Sequence, residues 1–148
     1  MEIKRNKTYI AKKSDVSRKW YIVDAKDKIL GRLAVKVANV LRGKNKPEFS
    51  PHLDIGDGVI VINAKDIRVT GRKLKQKVYQ RFTGYPSGLR EVTLEKMLDK
   101  KPEIVITHAV ENMLPDNKLQ KIFMKRLKVF KDDVYPHASQ NPIKLEVS

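Results

Sequence analysis

From residue 20 onward the chain is written in two hydrophobic rhythms. Trp20-Tyr21-Ile22-Val23-Asp24-Ala25 is an unbroken aromatic and β-branched run, which predicts a buried strand. Lys26-Asp27-Lys28 reads as a turn. Apolar residues then recur at Leu30, Leu33, Ala34, Val37, Ala38 and Leu41, the spacing of a helix with one apolar face. Arg32, Lys36 and Asn39 occupy the other face. Gly43 predicts the stop, with Arg42 and Lys44 suited to the negative end of the helix dipole. A loop containing Pro47, Pro51, Gly56 and Gly58 leads to Val59-Ile60-Val61-Ile62. This continuous β-branched run predicts a central strand of a parallel sheet, so residues 20–62 form a βαβ unit.

Beyond it the rhythm is weaker. Residues 67–70 suggest a short third strand before Gly71, and Gly84, Pro86 and Gly88 mark a loop. Thr93 suits the cap of a helix running to Asp99, and Pro102 the first turn of the next. Ile104, Val105, His108 and Val110 carry that helix towards Met113 and Leu114, where Pro115 ends it. A helix over 118–126 has Leu119, Ile122, Phe123 and Leu127 as its apolar face. Residues 127–130 form a last strand. The domain pattern is therefore a polar, basic arm over 1–19, an α/β body over 20–131 and an irregular extension over 132–148. The arm is either flexible or ordered along a partner.

Composition makes the body globular. Apolar residues are 41% of the chain, enough for a core, while charged residues at 33% exceed the usual level of about 25%. Cysteine is absent, which removes disulfides and thiolate metal sites and fits a reducing compartment. No apolar run approaches the roughly 18 residues of a membrane span, and no apolar stretch follows the basic N-terminus as in a secretory signal.

Charge changes the picture most. The formal net charge is +15, from 32 Lys+Arg against 17 Asp+Glu. Residues 71–90 hold Arg72, Lys73, Lys75, Lys77, Arg81 and Arg90 and not one acid; residues 117–131 hold Lys118, Lys121, Lys125, Arg126, Lys128 and Lys131, again with no acid. Concentrated like charge destabilises a compact state unless a dense anion accompanies it, and nucleic acid is such an anion. On the predicted 118–126 helix, Lys118, Lys121 and Lys125, with Lys128 just beyond, line up opposite the apolar face. A solvated outer face is the plain alternative, but solvated faces normally mix signs. Arg42, Lys44 and Lys46, at the end of the first helix, give a third basic surface. Tyr79, Phe82 and Tyr85 interleave the bases of 71–90 and suit stacking on unpaired bases; Tyr79, in a possible strand, reads equally as core.

Catalytic chemistry finds little support. His52, His108 and His137 match no metal spacing. Asp54 and Asp57 near His52 belong to Asp-Ile-Gly-Asp-Gly, dense in turn formers. His108 reads as a core or helix-end residue. Neither a dinucleotide fingerprint nor a Gly-x-x-x-x-Gly-Lys phosphate loop is present.

Four blocks in order resemble one family: WYIVDA with LGRLA, PHLDIGDGVIVINA, VTGRK with FTGYPSGLR, and MLPDNKLQKIFMKRLKVF. Together they are similar, over nearly the whole chain, to the L-thirteen family of large-subunit ribosomal proteins in its bacterial-sized form. Asn112 stands where that family often has Gly, a residue that also tolerates a left-handed helix end. Phe82 replaces a frequent His, Ser87 a frequent Gly and Tyr135 a common His. The resemblance implies a three-layer α/β/α fold around a small, mostly parallel sheet. It further implies a non-catalytic cytoplasmic protein without cofactor or small-molecule substrate, which binds large-subunit rRNA early in assembly beside neighbouring ribosomal proteins.

The reading that follows is a structural rRNA-binding protein. It uses Arg42, Lys44 and Lys46; Arg72, Lys73, Lys75, Lys77, Arg81, Tyr85 and Arg90; and Lys118, Lys121, Lys125 and Lys128. One rival is a DNA-binding protein, against which stands the lack of a helix-turn-helix or heptad dimer region. The other is a small α/β enzyme for a phosphorylated substrate.

Overall fold

In the computed structural model, which describes residues 11, 12 and 16–147, the βαβ unit forms where the pattern places it. Strand β1 (Trp20–Asp24) leads through helix α1 (Leu30–Arg42) to strand β2 (Gly58–Ile62), and the two strands pair in parallel with Val23 beside Val61. Gly43 ends α1 in the left-handed conformation at φ 81°, donating its N–H to the Asn39 and Val40 carbonyls. Six further helices and strands precede β5: α2 (Lys73–Gln76), β3 (Val78–Phe82), β4 (Leu89–Thr93), α3 (Leu94–Lys100), α4 (Pro102–Glu111) and α5 (Lys118–Lys125). Strand β5 (Leu127–Val129) pairs in parallel with β2, and β6 (Ile143–Lys144) pairs in parallel with β1. The main sheet therefore has the order β5-β2-β1-β6, all parallel, as an α/β domain requires.

Side chains of registered partners share a face of the sheet, and successive residues alternate. Val23, Val59, Val61 and Leu127 enter one cluster with Leu33, Ala34, Val37 and Leu41 of α1 and Val105, Ile106 and Val110 of α4. Helix α1 packs directly on α4, and α3 extends that layer. Ile60 and Lys128, registered with each other, lie on the opposite face. Ile60 is buried there, outside the main cluster.

Several expectations change. Residues 67–70 do not form a strand. Arg68 exchanges backbone hydrogen bonds with Lys28 and Leu30 (both 2.9 Å), and α1 then carries the chain away after a single bridge. The loop expected at Gly84, Pro86 and Gly88 does form, but it is the tip of an antiparallel hairpin, β3 with β4, whose strands the pattern did not give. Residues 132–148, read as irregular, supply β6. Asn112 caps α4 in the right-handed conformation at φ −70°, so the left-handed helix end expected there does not occur. Thr93, the last residue of β4, does precede α3, yet its side chain makes no capping bond. Of the arm, residues 1–10 and 13–15 lie outside the described residues. Its end is fastened to the body: the Lys19 carbonyl accepts from the Gly58 N–H at 2.9 Å, and the Lys19 N–H donates to Asp57 at 2.9 Å.

Candidate nucleic-acid interface

The basic residues fall into two physical classes, paired and unpaired. The paired ones gather where the 54–58 segment crosses the end of α1. A Cβ at Gly56 would collide with the Leu41 carbonyl oxygen, so only glycine lets the chain pass this close, and the Asp57 N–H then reaches the Val40 carbonyl at 3.2 Å. This crossing drives the Asp57 side chain inside, at 0% exposure. Its Oδ1 receives the Lys46 ammonium at 2.7 Å. Lys46 also donates to the Ser17 carbonyl at 2.9 Å and the Ile55 carbonyl at 3.1 Å, so its three donors are all engaged. Lys46 is thus an internal ion-pair partner and leaves the set of surface bases. Next to it Asp54 accepts a two-pronged contact from Arg126: one nitrogen at 2.8 Å and the other, closer still, also reaching the Leu41 carbonyl at 3.3 Å. Arg18 adds a third contact to Asp54 at 3.1 Å. Asp54 and Asp57, read from sequence as turn formers, are the acceptors of a buried ion-pair junction. His52 is exposed and plays no part in it. Arg42, at the rim, is half-buried with its guanidinium 5.3 Å from the Phe49 ring centre, while Lys44 is exposed.

The unpaired class occupies two places. Helix α5 starts at Asn117, whose side chain accepts from the Leu119 and Gln120 N–H groups. Phe123 turns inward at 2% exposure. Lys118, Lys121 and Lys125 turn outward, and so does Ile122 at 43% exposure. Ile122 therefore belongs to the lysine face, not to the apolar face assigned from its spacing. Residues at i, i+3, i+4 and i+7 are surface neighbours, which fits 118, 121, 122 and 125 equally well. Lys128 also departs from the stripe: the helix ends before it, and Lys128 is half-buried in β5. Like charges along the α5 face stand within one turn of one another with no acid between them.

The second place is the hairpin and the short helix before it. Arg72, Lys73, Lys75, Lys77, Arg81, Tyr85 and Arg90 are all exposed, together on one projecting structure. Its base is fixed to the body. Leu94 is fully buried, and its N–H donates to the Lys77 carbonyl at 2.9 Å. Tyr79 stacks on His108 with ring centres 6.1 Å apart, and burial pushes its hydroxyl above the ordinary tyrosine value. Tyr79 is thus an anchor, the core alternative of its sequence reading. His108 proves a helix-end residue, half exposed and 3.4 Å from Glu111. The hairpin packs on α2 and α3, whereas α5 packs on α1 and β5, so the two unpaired surfaces belong to different parts of the body. Among the described residues, none of the surface bases of the hairpin, α2 or α5 is in an ion pair. No group of three or more His, Asp and Glu among those residues could hold a metal ion, and no described helix is long and apolar enough to cross a membrane.

The chain is thus a small α/β domain with a parallel sheet, an ionic junction at the end of its first helix and two exposed basic surfaces whose bases lack ion-pair partners among the described residues. Comparison places it further. The sequence model of the family described as ribosomal protein L13 matches residues 18–136, and the chain belongs to that family. It is similar to "large ribosomal subunit protein uL13" of Geobacter sp. (strain M21), 54% identical over 141 residues, 95% of this chain and 99% of that protein. The protein of the same name from Clostridioides difficile (strain 630) is 57% identical over 136 residues, 92% of this chain and 95% of its own length. That from Symbiobacterium thermophilum is 52% identical over 142 residues, 96% of this chain and 99% of its own. The family is defined by a ribosomal protein and not by an enzymatic activity.

Proposed function

We propose that this chain is a non-catalytic constituent of the large ribosomal subunit in the cytoplasm, binding large-subunit rRNA and supporting subunit assembly beside neighbouring ribosomal proteins. The observation that carries the reading is the absence of ion-pair partners for Arg72, Lys73, Lys75, Lys77, Arg81, Arg90, Lys118, Lys121 and Lys125 among the described residues, while acids elsewhere in the fold are used to neutralise interior bases. A phosphate backbone supplies the missing charge. Because the two surfaces lie on different elements, one chain can hold two RNA segments near each other, and backbone contacts of this kind fix position and shape rather than read base edges. Family membership and the names of its relatives support the choice of large-subunit rRNA over other nucleic acids.

The test is a filter-binding titration on protein-free large-subunit rRNA at increasing salt. With roughly 6–10 phosphate contacts, affinity falls by about 10³–10⁵ between about 50 and 200 mM salt, by analogy with duplex DNA. A flat titration, or equal affinity for duplex DNA, overturns the proposal.

A further inference from the structure

The hairpin carries an electrostatic conflict that its own residues do not resolve. Arg81 and Arg90 stand directly opposite each other across the β3–β4 ladder. Directly opposed residues in such a pair have Cβ atoms about 4.5–5.5 Å apart, and like charges there are destabilising. The nearest acid in sequence is Glu91. Strand alternation turns it to the other face, where Gln80 donates to its carboxylate at 2.7 Å. Neither arginine is in an ion pair with any described residue.

The tip adds a second feature. Phe82 is 66% exposed, Tyr85 76% and Leu89 54%. They are not on a loose loop. The Thr83 N–H donates to the Gly88 carbonyl at 3.1 Å, the Gly88 N–H to the Tyr85 carbonyl at 2.9 Å, and the Thr83 hydroxyl to the Gly88 carbonyl at 3.2 Å. Gly84 (φ 92°) and Ser87 (φ 62°) both adopt left-handed backbone to close this turn. Strand alternation puts Phe82 and Leu89 on the Gln80–Glu91 face, away from Arg81 and Arg90, whereas Tyr85 is presented to solvent by the ordered turn at the end of the ladder that carries the two arginines.

A ligand that satisfies both features has anionic groups and flat apolar faces at short spacing. Unpaired RNA has both, since each nucleotide offers a phosphate and an accessible base face; a duplex hides the base faces in its stack. We infer that hairpin 78–93 takes an unpaired stretch of RNA, with Arg81 and Arg90 gripping one backbone phosphate from two sides and Tyr85, in the turn beyond them, stacking on an adjacent base. The inference rests on the rRNA-binding reading above and divides its labour: the lysine face of α5 carries no exposed aromatic ring and suits a backbone alone, whereas the hairpin recognises strand separation.

The experiment uses the full chain and protein-free large-subunit rRNA. Arg90→Glu places an opposite charge across from Arg81. It raises the melting temperature of the free protein, yet lowers rRNA affinity about tenfold or more, the scale of a lost charge-assisted hydrogen bond. Tyr85→Ala leaves the melting temperature unchanged and lowers affinity between about 5- and 150-fold, the range of one base–aromatic stack. Ultraviolet cross-links from residue 85 map to nucleotides that are unpaired in the folded rRNA. If wild-type protein binds with a steep salt dependence while both variants bind like it, or the cross-links map to paired nucleotides, this inference fails and the rRNA-binding reading stands. If the wild type itself shows no salt-dependent affinity, both fall. Variants that bind rRNA normally but no longer enter large subunits assign the tip to a protein neighbour and overturn the inference.

Discussion

Asp57 and Arg90 mark the two ways this molecule handles charge. At the junction beneath α1, Asp57 is completely buried and a lysine ammonium reaches it at 2.7 Å, with Arg126 and Asp54 paired beside them. On the hairpin, Arg90 stands exposed opposite another arginine with no acid on its face. The number of bases in a segment does not separate the two regions. Residues 117–131 contain both kinds: Arg126 is locked to Asp54, while Lys121 and Lys125 on the preceding turns are bare. What separates them is whether the fold brings a carboxylate to the base. In the interior it must, because an unpaired buried charge is costly. At the rim it does not, and the uncompensated charge is available to a partner.

Three sets of variants can break or sharpen this contrast. The largest effect is expected at the junction. Asp57→Ala strands the Lys46 ammonium in a buried site and removes the acceptor of the Lys19 N–H, so unfolding free energy falls by about 3–5 kcal/mol, as for other broken buried pairs. Lys46→Gln also destabilises, without altering the salt slope of rRNA binding by the folded protein. Urea denaturation and salt titrations check both statements. Asp57→Ala stability within about 1 kcal/mol of wild type, well short of the expected loss, removes the ionic-lock half of the comparison.

Next comes α5, where adjacent residues have opposite fates. Phe123→Ala opens the core and costs about 3–5 kcal/mol. Ile122→Ala, on the lysine face, changes stability by no more than about 0.5 kcal/mol, as surface substitutions do. Equal thermal shifts for the two would mean that Ile122 is packed and the face is wrongly drawn.

The smallest effect on the free protein belongs to Lys121→Glu with Lys125→Glu. Relief of like-charge crowding with Lys118 stabilises the free helix by a few tenths of a kcal/mol. On the proposed rRNA-binding role, the same double change removes two phosphate contacts and adds repulsion, and rRNA affinity is expected to fall by about 100-fold at moderate salt. Wild-type binding by this variant would make α5 a solvated face and leave the hairpin as the sole basic contact surface.

Much of the architecture is readable along the chain. The strand at 20–24, the helix over 30–42 and its glycine stop are coded by neighbours within a turn or two, so periodicity alone finds them. The central strand is legible because both of its faces are buried. The hairpin is not, since both faces of its outer half meet solvent and Val-Tyr-Gln-Arg-Phe shows no buried side to betray a strand. Two-residue β6 is too short to carry a pattern, and it exists only because β1 offers it an edge. Spacing likewise could not decide between Ile122 and Phe123, which flank the boundary of the helix's buried face.

An α/β domain with bases segregated from acids is already written along the chain, because helix period, strand composition and charge counts are local properties. Which bases are spent inside and which stay exposed is settled by packing. That choice depends on contacts between residues far apart in the chain: Arg126 finds Asp54 across 72 positions, while Arg81 and Arg90 are set face to face by a ladder register. A charge's burial and its counter-ion are properties of the packed molecule, and no count of residues along the chain contains them.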